Sequence, residues 1–232
     1  MIKGLLIIGM AGLCLIFSTA SGEAATLTLY PNNDTSVNSK YPDTTGGSNG
    51  LLPVNDNKYG WGNQRAYLSF DLSSLLGATI TYASFSILNY GGVGSYDYVN
   101  IHKVDETWNE ETLTWNTQPS YTSTNSGSLW VTTAGLTWYT YTGTNMISLA
   151  QSWVTGPNYG LMMENDLDGV AAELGSQFYS KESTYSDAQS AYLYLEYTAG
   201  TPPPVSAVPE PATLSLLGLG LFGLVFRRKQ AA

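Results

Sequence analysis

Cysteine occurs once in the 232 residues, at Cys14, and histidine once, at His102. Cys14 sits inside an apolar segment that reads as a leader, so the rest of the chain has no disulfide and no thiol chemistry. Its stability must come from packing or bound ions. One histidine excludes His-rich zinc sites, and no serine or cysteine nucleophile motif stands beside it, so His102 is expected to be a surface or strand-packing residue. Positive charge is also scarce. Between Ala25 and Ser206 five Lys and Arg stand against sixteen Asp and Glu, a net charge of −11. Such a surface repels nucleic acid, anionic lipid and acidic polysaccharide, and leaves neutral glycans or cations as easier partners. Only 12% of the residues are charged, yet there are 17 Tyr and 6 Trp. That composition belongs to a secreted β-domain rather than to disorder, which lacks aromatics.

What is present is period-two alternation, the spacing that sends successive side chains to opposite faces of a sheet. Leu27 and Leu29 alternate with threonines, Leu68, Phe70 and Leu72 with Tyr67, Ser69 and Asp71, and Ala83, Phe85 and Ile87 with Tyr82, Ser84 and Ser86. Ala191, Leu193, Leu195 and Tyr197 share one face, and Val99 with Ile101 and Trp138 to Tyr141 add short runs bounded by turn-forming residues. Many short strands without intervening helices predict two packed antiparallel sheets. Met146, Leu149, Ala150 and Trp153 instead recur at helical spacing. Thr144 or Asn145 is expected to cap this helix, Gly156-Pro157 to end it, and its apolar side to plug one end of the sandwich.

The two ends of the chain differ from the middle. Lys3, the apolar run Leu5 to Phe17 and the small residues Ser18, Ala20, Ser21 and Gly22 read as a secretory signal over residues 1–24. At the other end, the proline-rich stretch 199–207 is an extended spacer. It leads into Val208-Pro209-Glu210-Pro211, an apolar segment over 212–226, and Arg227-Arg228-Lys229. A rigid tetrapeptide, a membrane-compatible helix and a cationic stop describe a sorting tag over 208–232. The tail resembles the PEP-CTERM signal of Gram-negative bacteria. That resemblance implies processing near Val208 to Pro211 by an exosortase-type membrane protease and transient anchoring in the inner membrane through 212–226. Delivery to the outer surface or the exopolysaccharide matrix would follow.

Three stretches of the middle, residues 25–198, carry a second resemblance. They are Arg65-Ala66-Tyr67-Leu68-Ser69-Phe70-Asp71-Leu72-Ser73, Trp108-Asn109-Glu110-Glu111-Thr112-Leu113-Thr114-Trp115-Asn116-Thr117-Gln118-Pro119, and Phe178-Tyr179-Ser180-Lys181-Glu182. With Asp34-Thr35-Ser36-Val37 ahead of them and Trp153 and Asn158-Tyr159-Gly160-Leu161 between, they resemble DNRLRE domains, disaggregatase-related modules grouped with the family-96 carbohydrate-binding modules. The resemblance implies an all-β, jelly-roll-like antiparallel β-sandwich with one short helix, found beside polysaccharide-active enzymes or in surface proteins. Some relatives bind alginate through basic residues, whereas this acidic surface disfavours a polyuronate.

Within those motifs, Trp108 and Trp115 are expected to fill a sandwich edge, and Arg65 to pair with a buried acid such as Glu182. Contact with a ligand is expected instead from aromatics in polar, glycine-rich loops. Tyr59 and Trp61 lie in Asn55-Asp56-Asn57-Lys58-Tyr59-Gly60-Trp61-Gly62-Asn63, and Tyr96 and Tyr98 follow Gly91-Gly92-Val93-Gly94. An exposed ring offers an apolar face to a pyranose while nearby amides give direction. Asp166 and Asp168, in Glu164-Asn165-Asp166-Leu167-Asp168-Gly169, suggest a structural calcium ion, although the glutamate that closes an EF-hand loop is replaced by Gly175. No carboxylate sits in a context that predicts catalysis. The sequence thus points to an exported, noncatalytic carbohydrate-binding module; the alternative is a structural or adhesive biofilm protein with no defined glycan site.

Overall fold

The computed structural model describes residues 23–56, 60–93, 96–122, 126–132, 134–165, 175–186 and 188–200. Residues 1–22, read as most of the leader, and 201–232, read as spacer and sorting tag, lie outside them. Among the described residues no helix is long and apolar enough to cross a membrane.

The described residues form eleven strands, β1 (Ala24–Leu29), β2 (Asn33–Asn38), β3 (Leu51–Asn55), β4 (Gln64–Ser69), β5 (Thr79–Val93), β6 (Tyr96–Lys103), β7 (Gly127–Thr132), β8 (Thr137–Thr142), β9 (Leu161–Asn165), β10 (Gly175–Tyr179) and β11 (Tyr192–Thr198); the alternating stretches fall on β1, β4, β5, β6, β8 and β11. Every pairing between them is antiparallel. They form one curled sheet in the order β1-β11-β5-β10-β3-β4-β9-β6-β7, with β2 also on β4 and β8 also on β5. The 15-residue β5 makes the curl: its first half pairs with β11 and β8, and its last residues pair with β10. A register shift at Gln177/Phe178 in β10 marks the change of partner, as a bulge bends and twists a strand. The result is an all-β antiparallel fold with one short helix, consistent with a β-sandwich.

Inside the curl, Leu68, Phe85, Ile87, Ile101, Phe178, Leu193 and Leu195 are fully buried in one cluster. Phe70 meets Phe85 edge to face at 6.2 Å. The helix α1 (Thr144–Thr155) adds Met146, Leu149, Ala150 and Trp153 to this core, as its spacing predicts. Its start differs from expectation. The N-cap is Gly143, at φ 115°, and no side chain caps the helix. Glycine takes that backbone conformation at no steric cost, so Thr144 and Asn145 are already inside the first turn. Gly156 is the C-cap, as expected.

A second cluster covers the opposite face of β4 and β9. Tyr67, Met162, Val37, Val104 and Leu113 are buried there, with Trp108, Trp115, Tyr121 and Tyr159 packed against them. Strand β4 is therefore buried on both faces: Leu68 points into the main core, and its neighbour Tyr67 is sealed by the segment after β6. Trp108 and Trp115 fill the edge of the fold, and Trp108 Nε1 donates to the Tyr159 carbonyl at 2.8 Å.

Candidate functional site

The family-like motifs meet in space as two ionic clusters. In the first, Asp34, from β2, faces Glu110 and Glu182, and an oxygen of each lies within 4.8 Å of the other two. Asp34 Oδ2 accepts the backbone N–H of Lys181 at 2.8 Å. The Lys181 ammonium reaches over the same group and bonds to Glu110 at 2.5 Å and to Glu182. Burial pushes the Asp34 carboxyl up to about 8, the Lys181 N–H pulls it down, and the Glu182 charge pushes it up again. Burial alone would lower the Lys181 ammonium, but its bonds to Glu110 and Glu182 outweigh that and hold it at about 12. Among the described residues this is the one group of three acidic oxygens close enough to hold a metal ion. Lys181 already supplies a cation to two of its members, so the cluster's charge is partly balanced within the chain.

The second cluster corrects the expected partner of Arg65. Its guanidinium bonds Glu164 at 3.1 Å, not Glu182, and Gln118 at 3.2 Å. The reason is topological: β4 pairs with β9, the strand that carries Glu164, whereas Glu182 lies beyond β10 and is held by Lys181. Trp115 and Tyr121 cover the guanidinium at 5.1 and 5.5 Å. Glu164 Oε1 also lies 3.0 Å from His102 Nε2, and His102 Nδ1 lies 3.1 Å from the Thr122 carbonyl. His102 is buried strand packing, one of the two roles expected of it, and both clusters are internal girders.

The exposed chemistry lies elsewhere, on the outer face of β3 and β10. A cleft of about 530 Å³ is lined by Tyr41, Trp61 and Tyr185, by the amides Asn38, Asn49, Asn55, Gln64 and Gln177, and by Lys40, Gly50, Leu51 and Pro53. A second lobe of about 410 Å³ shares Asn55, Trp61 and Gln177 with it and adds Tyr90, Gly91, Gly92, Gly135 and Gly175. The rings are open to solvent: Tyr41 is 56% exposed, Tyr185 49%, Trp61 41% and Tyr90 40%.

Local geometry explains why Trp61 stands there. It sits between Gly60 at φ 67° and Gly62 at φ 86°, a left-handed conformation that costs other residues about 1–2 kcal/mol each. Gly62 is also pressed against the turn after β2, where a Cβ would lie 2.2 Å from Asn38 Oδ1 and 2.6 Å from the Lys40 nitrogen. Asn38 Oδ1 accepts the Lys40 N–H at 2.8 Å and shapes that turn. Ser39 and Asn63 then lock the two turns together: Ser39 N–H donates to the Asn63 carbonyl at 2.9 Å and Asn63 N–H to Ser39 Oγ at 2.7 Å. Trp61 and Tyr41 thereby project from one clamped pair of loops. Tyr185 is steadied differently, by rings: it lies 5.3 Å from Tyr90 and 6.0 Å from Tyr179, which is itself buried.

Of the ligand residues expected from the sequence, Trp61 alone is placed in this cleft. Tyr59, Asp166 and Asp168 lie outside the described residues, as does the side chain of Tyr96. Tyr98 is on β6, its ring 4.8 Å from the exposed Trp130 of β7, and does not line the cleft. The sequence reading missed Tyr41, Tyr90 and Tyr185. Tyr41 and Tyr185 carried the same signal as Trp61, an aromatic among turn-forming polar residues, but only the fold brings the three loops together.

Comparison with protein families agrees with this architecture. The model of carbohydrate-binding module family 96 matches residues 25–197, and that of the PEP-CTERM protein-sorting motif matches residues 207–229. No curated protein matches the chain.

Proposed function

We propose that this chain, which belongs to carbohydrate-binding module family 96 and carries a PEP-CTERM sorting motif, is an exported, noncatalytic protein that binds a glycan in the Trp61 cleft. The observation that carries the reading is the pairing of exposed rings with amide side chains. Tryptophan and tyrosine left in water lose apolar stabilisation, and a sugar's C–H face covers them while the amides bond its hydroxyls. The motif residues support the same division of labour: buried Asp34 and Glu110 and half-buried Arg65, Trp108 and Trp115 build the scaffold, and the loops at its side bind.

Sorting supplies the context. An exosortase-type protease would cut near Val208 to Pro211 after residues 212–226 halt in the inner membrane, with Arg227, Arg228 and Lys229 on the cytoplasmic side. The jelly-roll-like domain would then act at the outer surface or in the exopolysaccharide matrix of a Gram-negative cell. Titrating a panel of neutral and acidic polysaccharides onto the protein and onto Trp61→Ala tests the reading. At least one polymer is expected to bind, with affinity lowered tenfold or more, about 1.4 kcal/mol, in the variant. Equal binding by both proteins would remove the cleft as the site.

A further inference from the structure

We propose that the cleft holds the interior of a linear, uncharged polysaccharide laid across β3, β10 and β5, rather than a chain end or a single sugar. This rests on the glycan reading of the same cleft. Its two lobes adjoin, with Asn55, Trp61 and Gln177 lining both. Their floor follows sheet register, with Pro53 of β3 opposite Gln177 of β10 and Gln177 opposite Gly91 of β5. Strands stand about 4.8 Å apart, so a ligand crossing from the first to the third covers about 10 Å, about two rings, before it reaches past the outer tyrosines. The rings that belong to one lobe each, Tyr41 and Tyr185 in the first and Tyr90 in the second, are all exposed, so a chain can run on past them.

The glycines of the second lobe separate structural need from clearance. A Cβ at Gly92 would lie 2.4 Å from the Gly175 carbonyl oxygen, and one at Gly175 would lie 2.0 Å from Asn55 Oδ1. Close packing explains those two. Gly91 has no such reason: a Cβ there would meet nothing within 4 Å, and its φ is not left-handed. A glycine inside a strand weakens it, and here its visible consequence is an unobstructed floor beside Tyr90.

Charge selects the ligand class. Among the described residues no carboxylate and no arginine lines either lobe, and Lys40 is the one cation. Carboxamides both donate and accept, which suits hydroxyl and acetamido groups, whereas the chain's net charge of −9 works against a polyanion.

The test uses the intact protein with uncharged polymers (glucans, xylans, mannans and galactans), with alginate and polygalacturonate as acidic controls, and then with an oligosaccharide ladder of the tightest binder. Affinity should rise with oligomer length from the disaccharide upward and be unchanged when the reducing end is reduced. Gly91→Phe, which fills the second lobe at a position with space, should weaken polymer binding about tenfold and leave the shortest bound oligomer unaffected. Tyr90→Ala, which also removes the ring that steadies Tyr185, should weaken polymer binding and short-oligomer binding alike, and a folded-state spectrum checks that neither variant has unfolded. The inference fails if an acidic polymer binds tightest, if affinity is saturated by the disaccharide, or if Gly91→Phe and Tyr90→Ala bind polymer as well as the parent while Trp61→Ala does not. If Trp61→Ala also binds normally, or if no polymer binds, the glycan reading itself falls and takes this inference with it.

Discussion

Asp34 is buried, and its environment raises its carboxyl far above the usual carboxylate range. Its carboxyl is buried among two other carboxylates and titrates at about 8 instead of 3.8. The folded protein thus retains a proton that the unfolded chain releases near 3.8. Folding stability should therefore fall as pH rises through that window and level off above about 8. Asp34→Asn mimics the protonated form and keeps an acceptor for the Lys181 N–H, so it should flatten this dependence. Urea denaturation at pH 5 and pH 8.5 reads the difference; a parent protein that is more stable at the higher pH would contradict it. Lys181, held at about 12 by its two acids, contributes stability that is complete below 10.5 and lost through about 12. A single glycine matters as much on the binding side. Gly62→Ala meets both a left-handed φ and the backbone of the clamped turn, and should cost about 1–2 kcal/mol or more of stability while loosening Trp61. A melting temperature equal to the parent's would show that the turn yields.

At the scale of elements, β1, β4, β5, β6, β8 and β11 were legible because apolar residues alternate along them, and α1 because four apolar residues recur at helical spacing, whereas β2, β9 and β10 are buried at consecutive positions and carry no such signal. Much of the remainder was hidden for identifiable reasons. Period two announces one buried face, so it placed Leu68 inside but gave no sign that Tyr67, on the other face, is sealed by the segment after β6. Arg65 was correctly read as an internal charge needing a partner, yet the partner depends on which strand lies beside β4, a tertiary fact. The start of α1 escaped because Gly143 supplies the turn through its backbone, where a side-chain cap was sought. The covering segment is held to the sheet by Trp108, whose indole bonds the Tyr159 carbonyl and whose ring lies 5.8 Å from that of Tyr67. Trp108→Ala should destabilise the fold by about 3 kcal/mol without changing glycan affinity in the fraction that remains folded. A parallel loss of affinity in folded protein would join this face to the site.

Across the whole molecule, scaffold and binding surface are separable. The motifs that define the family resemblance converge in two partly buried clusters, Asp34 with Glu110, Lys181 and Glu182, and Arg65 with Gln118 and, from outside the motifs, Glu164. The cleft is built instead from loop aromatics and from amides on the outer sheet face. That separation explains why Trp61 could be picked from sequence by its polar, glycine-rich setting, whereas the groove around it could not: Tyr41 and Tyr185 come from distant loops and Tyr90 from β5, and only the curled sheet assembles them. None of the ionic-cluster residues lines the cleft, so the pH effect on stability should leave affinity nearly constant while the protein is folded. Chemical-shift mapping tests the central claim most directly, with the protein saturated by the uncharged oligosaccharide that binds it best. The largest shifts should fall on the Trp61 indole N–H and on the side-chain amides of Asn55 and Gln177. Shifts confined to the Tyr98–Trp130 face, or none at saturating ligand, would contradict the account.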